Sequence, residues 1–175
     1  MRALLVAVTF LIGMLPRSTS AQETHQPISS MDQLGLLNRC EILALYASAD
    51  PGPIPHGYAP GLAIFNPGRP LTMARAKMTS ATMWQGKIFL DDAHVMNKVL
   101  GKQAINMSVY RSESWFDGKP SIILDYEAAG WPVARYRDEI REVAPGIYLG
   151  LMYERKCPQP ALKLFFALDA RCGCR

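Results

Sequence analysis

From Leu62 to Leu168 the chain repeats short apolar or alternating segments that are separated by turn residues. Clear turn signals occur at Asn66-Pro67-Gly68 and at Asp117-Gly118-Lys119-Pro120, because proline and glycine set the backbone angles that turns require. Ala104–Tyr110 alternates polar and apolar side chains, which is typical of a half-buried strand. Roughly six to eight short strands with evenly spaced turns predict a mainly β fold, either an antiparallel β-barrel or a β-sandwich.

The segment before these strands follows a different pattern. Ser30 and Gln33 have the spacing of a capping box, and apolar residues then recur at helical spacing, so we predict a helix over Met31–Ala47. Asp50–Gly61 is rich in proline and glycine, and we expect neither helix nor regular strand there. We therefore divide the chain after residue 21 into an N-terminal helix and Pro/Gly-rich arm, 22–61, and an antiparallel β-domain, 62–175.

Two segments of the β-domain have a pattern that leaves the element type undecided. Met73–Met83 has no clean period, so both a helix and a strand are compatible with it. Asp91–His94 is typical of a turn or of the first turn of a short helix that reaches Leu100.

The first 21 residues have the composition of a cleavable signal peptide. Met1-Arg2 is positively charged, Ala3–Leu15 is apolar, and Thr19-Ser20-Ala21 offers small residues for cleavage before Gln22. The apolar run is shorter than the ~20 residues that a membrane-spanning helix needs, and no later run is long enough either. We predict a periplasmic or secreted protein that has no membrane span.

Charge and cysteine content narrow the expected partners and chemistry. The formal net charge is +4, part of it lies in the segment 1–21, and the basic residues are scattered, which argues against a nucleic-acid partner. The four cysteines all follow residue 21. In an oxidising compartment an even number favours disulfides over a metal site, and we expect one bond that joins the first of them to the C-terminal region. The disulfide candidates are Cys40, Cys157, Cys172 and Cys174.

The densest charge in the chain lies in Arg137–Glu142. In a strand, Arg137, Glu139 and Arg141 share one face, whereas Asp138 lies on the other. If the first set faces into a barrel, an arginine can hold a carboxylate or phosphate group with its planar fork. The alternative is a solvated face or a purely structural ion network.

Aromatic residues supply the second candidate feature of a binding site. Trp84, Tyr126 and Tyr148 lie on predicted strands, where aromatic rings with polar tips can line a cavity for an apolar or ring-bearing ligand. The alternative for each of them is a place in the ordinary core. Together with the charged strand, the candidate ligand-binding residues are Trp84, Tyr126, Arg137, Glu139, Arg141 and Tyr148.

The pattern for catalysis is weak. The chain has three histidines and no G-x-S-x-G motif, and an adjacent carboxylate pair such as Asp138 and Glu139 arises easily by chance. His94 lies beside Asp91 and Asp92, but an exposed turn is a simpler interpretation than a metal site. We predict no catalytic residue, no metal and no cofactor.

Three segments together resemble a family of small exported bacterial proteins of unknown function. They are Trp84–Phe89, Asp117–Tyr126 and Arg137–Gly150. The resemblance implies a bacterial, exported protein with one domain, and it implies no activity. The order of short strands and the position of Trp84 are also similar to those of lipocalin-like barrels.

These features lead to one functional hypothesis and two alternatives. The first is an exported binding protein for a small amphipathic molecule, such as a fatty acid or lipid fragment, whose acidic head meets Arg137 or Arg141. The second is an envelope hydrolase or lyase built on the same sheet, with Asp138, Glu139 and His94 as candidates. The third is a structural or interaction protein in which the charged strand only stabilises the fold.

Overall fold

The computed structural model describes residues 27–173, with side chains through residue 171. The predicted signal peptide therefore lies outside the described residues. Within this part, the chain forms three α-helices and eight β-strands. In chain order they are α1 (Met31–Leu36), α2 (Arg39–Ser48), β1 (Gly57–Ile64), α3 (Thr72–Thr82), β2 (Trp84–Phe89), β3 (His94–Val99), β4 (Lys102–Glu113), β5 (Pro120–Asp125), β6 (Tyr136–Ala144), β7 (Ile147–Glu154) and β8 (Ala161–Asp169).

The eight strands form a closed antiparallel barrel. Each strand pairs with its neighbours in sequence, and β1 pairs with β8 to close the sheet. Closure leaves no unpaired sheet edge exposed. The prediction of a mainly β fold with an antiparallel barrel is confirmed, and the sandwich alternative is excluded. Pro145-Gly146 forms the turn that joins β6 to β7 as a hairpin.

Two details of the predicted secondary structure are wrong, and a third segment was left undecided. Asp50–Gly61 was expected to contain no strand, but β1 begins at Gly57 and includes Pro60. Pro60 is tolerated because it pairs with Gly86, where the register of β2 shifts in a bulge, and a bulge is a place where a missing N–H costs little. The residues after Asp91–Ala93 form strand β3 rather than a helix, because they pair with both β2 and β4. Met73–Met83, left open by its pattern, belongs mostly to α3.

The predicted helix over Met31–Ala47 is two helices, α1 and α2. Gln33 accepts a hydrogen bond from the backbone N–H of Ser30 at 3.1 Å, as expected for the first helix start. Asn38 then caps a second start, since its Oδ1 accepts from the N–H groups of Cys40 and Glu41. Both helices pack on the outside of the barrel, where Leu34, Ile42 and Tyr46 join residues of β1, β7 and β8 in one apolar cluster.

The Pro/Gly-rich arm between α2 and β1 closes one end of the barrel. The Tyr148 hydroxyl donates to the carbonyl of Pro53 at 2.7 Å, and Arg111 donates to the carbonyl of Gly52 at 2.6 Å. Ile54 packs against the apolar cluster inside the barrel. We call this the closed end. The connections β1–β2, β3–β4, β5–β6 and β7–β8 all lie at the opposite end, which we call the mouth.

The expected disulfide involving Cys40 is not found. Cys40 lies exposed in the first turn of α2 and Cys157 lies exposed between β7 and β8, and both are free. An even number of cysteines does not indicate which of them lie close together in the folded chain. The side chain of Cys172, and Cys174 as a whole, lie outside the described part of the chain. Among residues 27–173, no helix is both long and apolar enough to cross a bilayer.

Candidate functional site: an apolar cavity with a buried ion pair

A cavity of about 220 Å³ occupies the half of the barrel nearest the mouth. The other half of the interior is filled by apolar side chains that include Phe89, Ile122 and Leu168. Most residues that line the cavity are apolar or aromatic, and they come from seven of the strands, from α3 and from the β5–β6 connection. They include Phe65, Thr79, Trp84, Ile105, Val133, Tyr136, Met152, Leu164 and Phe166.

Three polar side chains of the lining, Asn97, Tyr126 and Asp138, meet around the buried ammonium of Lys87. We call these four residues the Lys87 cluster. The Lys87 ammonium lies 2.8 Å from Asp138 Oδ2, and both side chains are almost completely buried. The Lys87 ammonium also donates to Asn97 Oδ1 at 2.9 Å and to the Tyr126 hydroxyl at 3.2 Å. The Tyr126 hydroxyl in turn donates to Asp138 Oδ2 at 2.9 Å.

Burial governs the electrostatics of this cluster. Desolvation lowers the pKa of Lys87, and the Asp138 carboxylate acts in the opposite direction. Desolvation together with the nearby Asp138 charge raises the pKa of Tyr126 well above its usual value. The rings of Trp84, Tyr126 and Phe166 lie 5.3–5.9 Å from the Lys87 ammonium, and their electron-rich faces offset part of the desolvation cost.

One atom of the cluster has no partner. Asp138 Oδ2 accepts from Lys87 and Tyr126, but Asp138 Oδ1 is buried without a hydrogen bond. Asp138 is one of the residues that line the cavity, so its carboxylate belongs to the cavity wall. A buried acceptor that is left unpaired costs roughly 1–3 kcal/mol or more when it is charged. A ligand that donates a hydrogen bond to Oδ1 would recover that free energy.

Two glycines give the aromatic rings of the cavity their positions. The Trp84 indole lies directly over Gly61, and the Phe166 ring lies directly over Gly150, so that a Cβ at either glycine would collide with the ring. The two rings meet edge to face with their centroids 5.7 Å apart, a favourable geometry for an aromatic pair. The Trp84 N–H donates to Asn97 Oδ1 at 3.1 Å, which ties the ring to the Lys87 cluster.

Arg137, Glu139 and Arg141 alternate with the inward-facing residues of β6 and lie on the outer side of the barrel wall. Glu139 is fully buried there, and it accepts hydrogen bonds from the Ser114 hydroxyl at 2.5 Å and from the Trp115 N–H at 2.9 Å. Arg137 lies 3.5 Å from the Glu139 carboxylate, and its guanidinium stacks 4.2 Å from the Trp115 ring. Burial raises the pKa of Glu139, against the lowering effect of the Ser114 and Trp115 hydrogen bonds.

Arg141 forms the second part of this outer network. Its side chain is fully buried, and its two terminal nitrogens donate to the two Asp117 oxygens at 2.8 and 2.6 Å. The same guanidinium donates to the carbonyls of Tyr46, Lys119 and Pro120. It therefore joins α2, the β4–β5 connection and β6. The pKa of Asp117 is lowered, mainly because its carboxylate accepts hydrogen bonds from Arg141.

The six predicted ligand-binding residues thus lie in three places. Trp84 and Tyr126 line the cavity. Tyr148 faces into the barrel but binds the arm at the closed end. Arg137, Glu139 and Arg141 lie together on the outer side of the wall, beneath α2 and the β4–β5 connection, and do not line the cavity.

Sequence reasoning missed Lys87, Asn97 and Phe166, and it named Asp138 only as a candidate for the hydrolase or lyase alternative. Strand alternation had already placed Asp138 on the face opposite to the arginines, but nothing in the pattern says which face is inside the barrel. Lys87 and Asn97 come from strands whose sequences contain few other buried polar residues, and only the closed sheet brings them to Asp138. His94 lies exposed at the closed end beside Asp91, and within residues 27–173 no group of metal-ligating side chains comes together.

The comparisons with known proteins support the fold and no function. No protein-family model matches the sequence, and no curated protein matches it. A crystal structure of a protein from Thermomonospora curvata is similar, with a TM-score of 0.54 and 22% sequence identity over 78% of this chain and 90% of that chain. At this identity the similarity shows a shared fold alone. The resemblance to a family of small exported bacterial proteins, and the likeness to lipocalins, stay predictions.

Proposed function

We propose that this protein binds a small, mostly apolar molecule in the barrel cavity, and that the ligand donates one hydrogen bond to Asp138. The observation that carries the proposal is that Asp138, whose Oδ1 is buried and unpaired, belongs to the wall of a cavity whose lining is otherwise largely apolar. Such cavities, with a few polar groups at fixed positions, are typical of small-molecule sites. A hydroxyl or an N–H group on an apolar skeleton fits this arrangement.

The polar group of the ligand differs from the acidic head that the sequence suggested. Arg137 and Arg141 do not line the cavity, and the Lys87 ammonium already donates to Asp138, Asn97 and Tyr126. A carboxylate would also approach the Asp138 charge, which repels it. The cavity volume of about 220 Å³ lies below the ~300 Å³ of common drug-sized sites. We therefore favour a compact hydroxylated ring or short alcohol over a long-chain fatty acid.

Export belongs to the same proposal. It is supported by the charged, apolar and small-residue regions of the first 21 residues. A periplasmic or secreted protein with an apolar cavity that opens at the mouth would carry or sequester a molecule that is poorly soluble in water. The alternative based on hydrolysis by Asp138, Glu139 and His94 is weaker. Asp138 faces the cavity, Glu139 lies on the other side of the wall, and His94 lies at the closed end.

A pair of matched probes tests the proposal. 1-Naphthol and 1-methoxynaphthalene have the same ring system, but only the first donates a hydrogen bond. Calorimetry or Trp fluorescence should show that the intact protein binds 1-naphthol roughly tenfold or more tightly, since a hydrogen bond to a charged group contributes about 1.5–3 kcal/mol. 1-Naphthoate should bind more weakly than 1-naphthol.

Two variants identify the group responsible. The double variant Lys87→Met with Asp138→Leu replaces the ion pair by apolar side chains, a change that folded proteins often tolerate. It should bind both neutral probes with similar affinity. Tyr148→Phe, which removes a hydroxyl that does not line the cavity, should keep the preference for 1-naphthol. Equal affinities of the unaltered protein for both neutral probes, or tightest binding of 1-naphthoate, would contradict the proposal.

A further inference from the structure

Large apolar side chains are exposed around the mouth of the barrel. Trp131, in the β5–β6 connection, is 92% exposed. Leu100, in the β3–β4 turn, is 70% exposed, and Met83, just before β2, is 63% exposed. Met83 and Leu100 are adjacent, since the Leu100 N–H donates to the Met83 carbonyl at 2.9 Å. Burial of large apolar side chains is the main stabilising contribution to folding. Several large apolar side chains exposed around the mouth therefore indicate a surface that binds a partner.

Charge is distributed unequally between the two ends. The four connections at the mouth contain a single acidic residue, Glu127, and the basic residues Arg69, Arg75, Lys77, Arg135, Arg155 and Lys156. The adjacent strand ends add three basic residues, Lys98, Lys102 and Lys163, and two acidic residues, Glu154 and Asp125. At the closed end the connections carry Asp50, Asp91, Asp92 and Asp117 against Lys119. The protein is therefore polarised, with its positive end at the mouth.

From the coincidence of exposed apolar side chains with this positive end, we infer that the mouth docks on the surface of an anionic lipid bilayer. Tryptophan is favoured at the boundary between headgroups and acyl chains, where Trp131 would insert together with Leu100 and Met83. The surrounding lysines and arginines would contact anionic headgroups, an attraction that falls off over about one Debye length. The opening of the cavity would then face the bilayer.

A bilayer fits these features better than a nucleic acid or a protein. A nucleic acid would use the basic residues, but it would leave Leu100 and Met83 in water. A protein partner would need a complementary shape, whereas the apolar residues here belong to separate connections around an opening. A fluid bilayer accommodates such a scattered set of apolar anchors, in the way that peripheral proteins use an apolar face ringed by basic residues. This inference depends on the surface of the mouth and not on the ligand in the cavity.

Vesicle flotation tests the docking directly. The full protein after residue 21 is mixed with vesicles of phosphatidylcholine, or with an equal mixture of phosphatidylcholine and phosphatidylglycerol. We expect it to float with the anionic vesicles, to float much less with the neutral ones, and to be released by high salt. The Trp emission should shift to shorter wavelength on the anionic vesicles only, and Trp131→Ala should abolish most of that shift.

Matched variants distinguish docking at the mouth from non-specific adsorption to vesicles. Trp131→Ala should weaken the vesicle affinity, while Leu90→Ala, which removes an exposed apolar side chain at the closed end, should leave it unchanged. Lys102→Gln should weaken it by about fivefold, as expected for one basic residue near an anionic surface. Lys119→Gln, at the closed end, should have little effect. Circular dichroism melting curves would establish that all four variants are folded.

Several outcomes would overturn the inference. Equal flotation with neutral and anionic vesicles, or no flotation at all, would do so, as would equal losses in the Trp131 and Leu90 variants. Sedimentation that shows a dimer broken by Trp131→Ala, without any vesicle binding, would assign the surface to self-association instead. The Lys87→Met/Asp138→Leu variant should still bind vesicles, so failure of the cavity proposal and failure of the docking inference can be told apart.

Discussion

Adjacent carboxylates on β6 have different surroundings and therefore different roles. Asp138 faces the barrel interior, pairs with Lys87 and keeps one oxygen unpaired. Glu139 faces the outer side, accepts hydrogen bonds from Ser114 and Trp115, and has a raised pKa because it is buried. A single residue step along a strand reverses the face, and here that step separates a candidate ligand-binding group from a structural one.

The raised pKa of Glu139 predicts a pH-dependent contribution to stability. Because the folded state holds this proton more tightly than the unfolded chain does, the favourable contribution is complete below the unfolded pKa. It is lost as the pH rises through the folded pKa. Glu139→Gln has no such proton, so the stability of the variant relative to the unaltered protein should increase as the pH rises above the ordinary glutamate pKa of about 4.5. The gain is about 1.4 kcal/mol for each unit between the two pKa values.

Urea unfolding at a series of pH values measures this difference. A change of hydrogen bonding in the variant adds an offset that does not depend on pH, so the slope of the difference is the quantity to compare. Ser114→Ala is the opposite case, since it keeps the carboxyl group and removes a hydrogen bond that lowers the pKa of Glu139. Its stability relative to the unaltered protein should therefore decrease as the pH rises. A difference for Glu139→Gln that stays constant or decreases with rising pH would show that the pKa of Glu139 is not raised.

At the scale of secondary-structure elements, Arg141 joins parts of the chain that are far apart in sequence. Its five hydrogen bonds reach Asp117, Tyr46, Lys119 and Pro120, so that α2 and the β4–β5 connection are held against β6. Removing one partner of a buried charge pair costs several kcal/mol. We expect Arg141→Ala to lower the free energy of unfolding by about 3 kcal/mol.

Arg141→Lys provides the matched comparison for that prediction. It keeps the charge but loses the planar fork that contacts both Asp117 oxygens, so its loss should be intermediate between those of the unaltered protein and the alanine variant. Chemical denaturation gives these values, and 1-naphthol binding should remain unchanged in whatever fraction is folded. A variant that keeps its stability but loses ligand binding would show that the outer network belongs to the binding site after all.

The sequence predicted some elements well and others poorly, for identifiable physical reasons. The β6–β7 hairpin was predictable because Pro145-Gly146 is a strong local turn signal. α3 was not, since the apolar residues of Thr72–Thr82 show no clear helical period. The first part of β1, Gly57–Gly61, was not predicted either. Pro60 has no N–H to donate to the sheet, and this loss is tolerated because of a bulge in the neighbouring strand β2, which no local pattern indicates.

The candidate site was less accessible to prediction than the fold. Trp84 and Tyr126 could be chosen because large aromatic residues on strands often line cavities. The charged strand β6 was identified, but both faces of this strand are buried, one inside the barrel and the other beneath α2. The Lys87–Asp138 pair forms across the closed barrel between residues that are distant in sequence. No local pattern encodes such a contact.

At the scale of the whole molecule, the barrel has one closed end and one end that gives access to the cavity. The arm 49–56 covers the end where Tyr148 binds Pro53, whereas the cavity lies near the mouth between α3 and the β5–β6 connection. Apolar residues fill the interior between the cavity and the closed end. A ligand must therefore enter through the mouth if it binds in the cavity.

A bulky side chain at the mouth should consequently obstruct binding, whereas the same addition at the closed end should not. Val133 lines the cavity from the β5–β6 connection, and Val133→Trp places a large ring there. Leu90→Trp adds the same ring at an exposed position of the closed end. Stopped-flow fluorescence with 1-naphthol should show association slowed roughly tenfold or more for Val133→Trp, within the range over which association rates vary among variants of one site. Leu90→Trp should associate at the unaltered rate, and slowing in this variant instead would mean that the ligand passes the arm and that the closed end is the entrance.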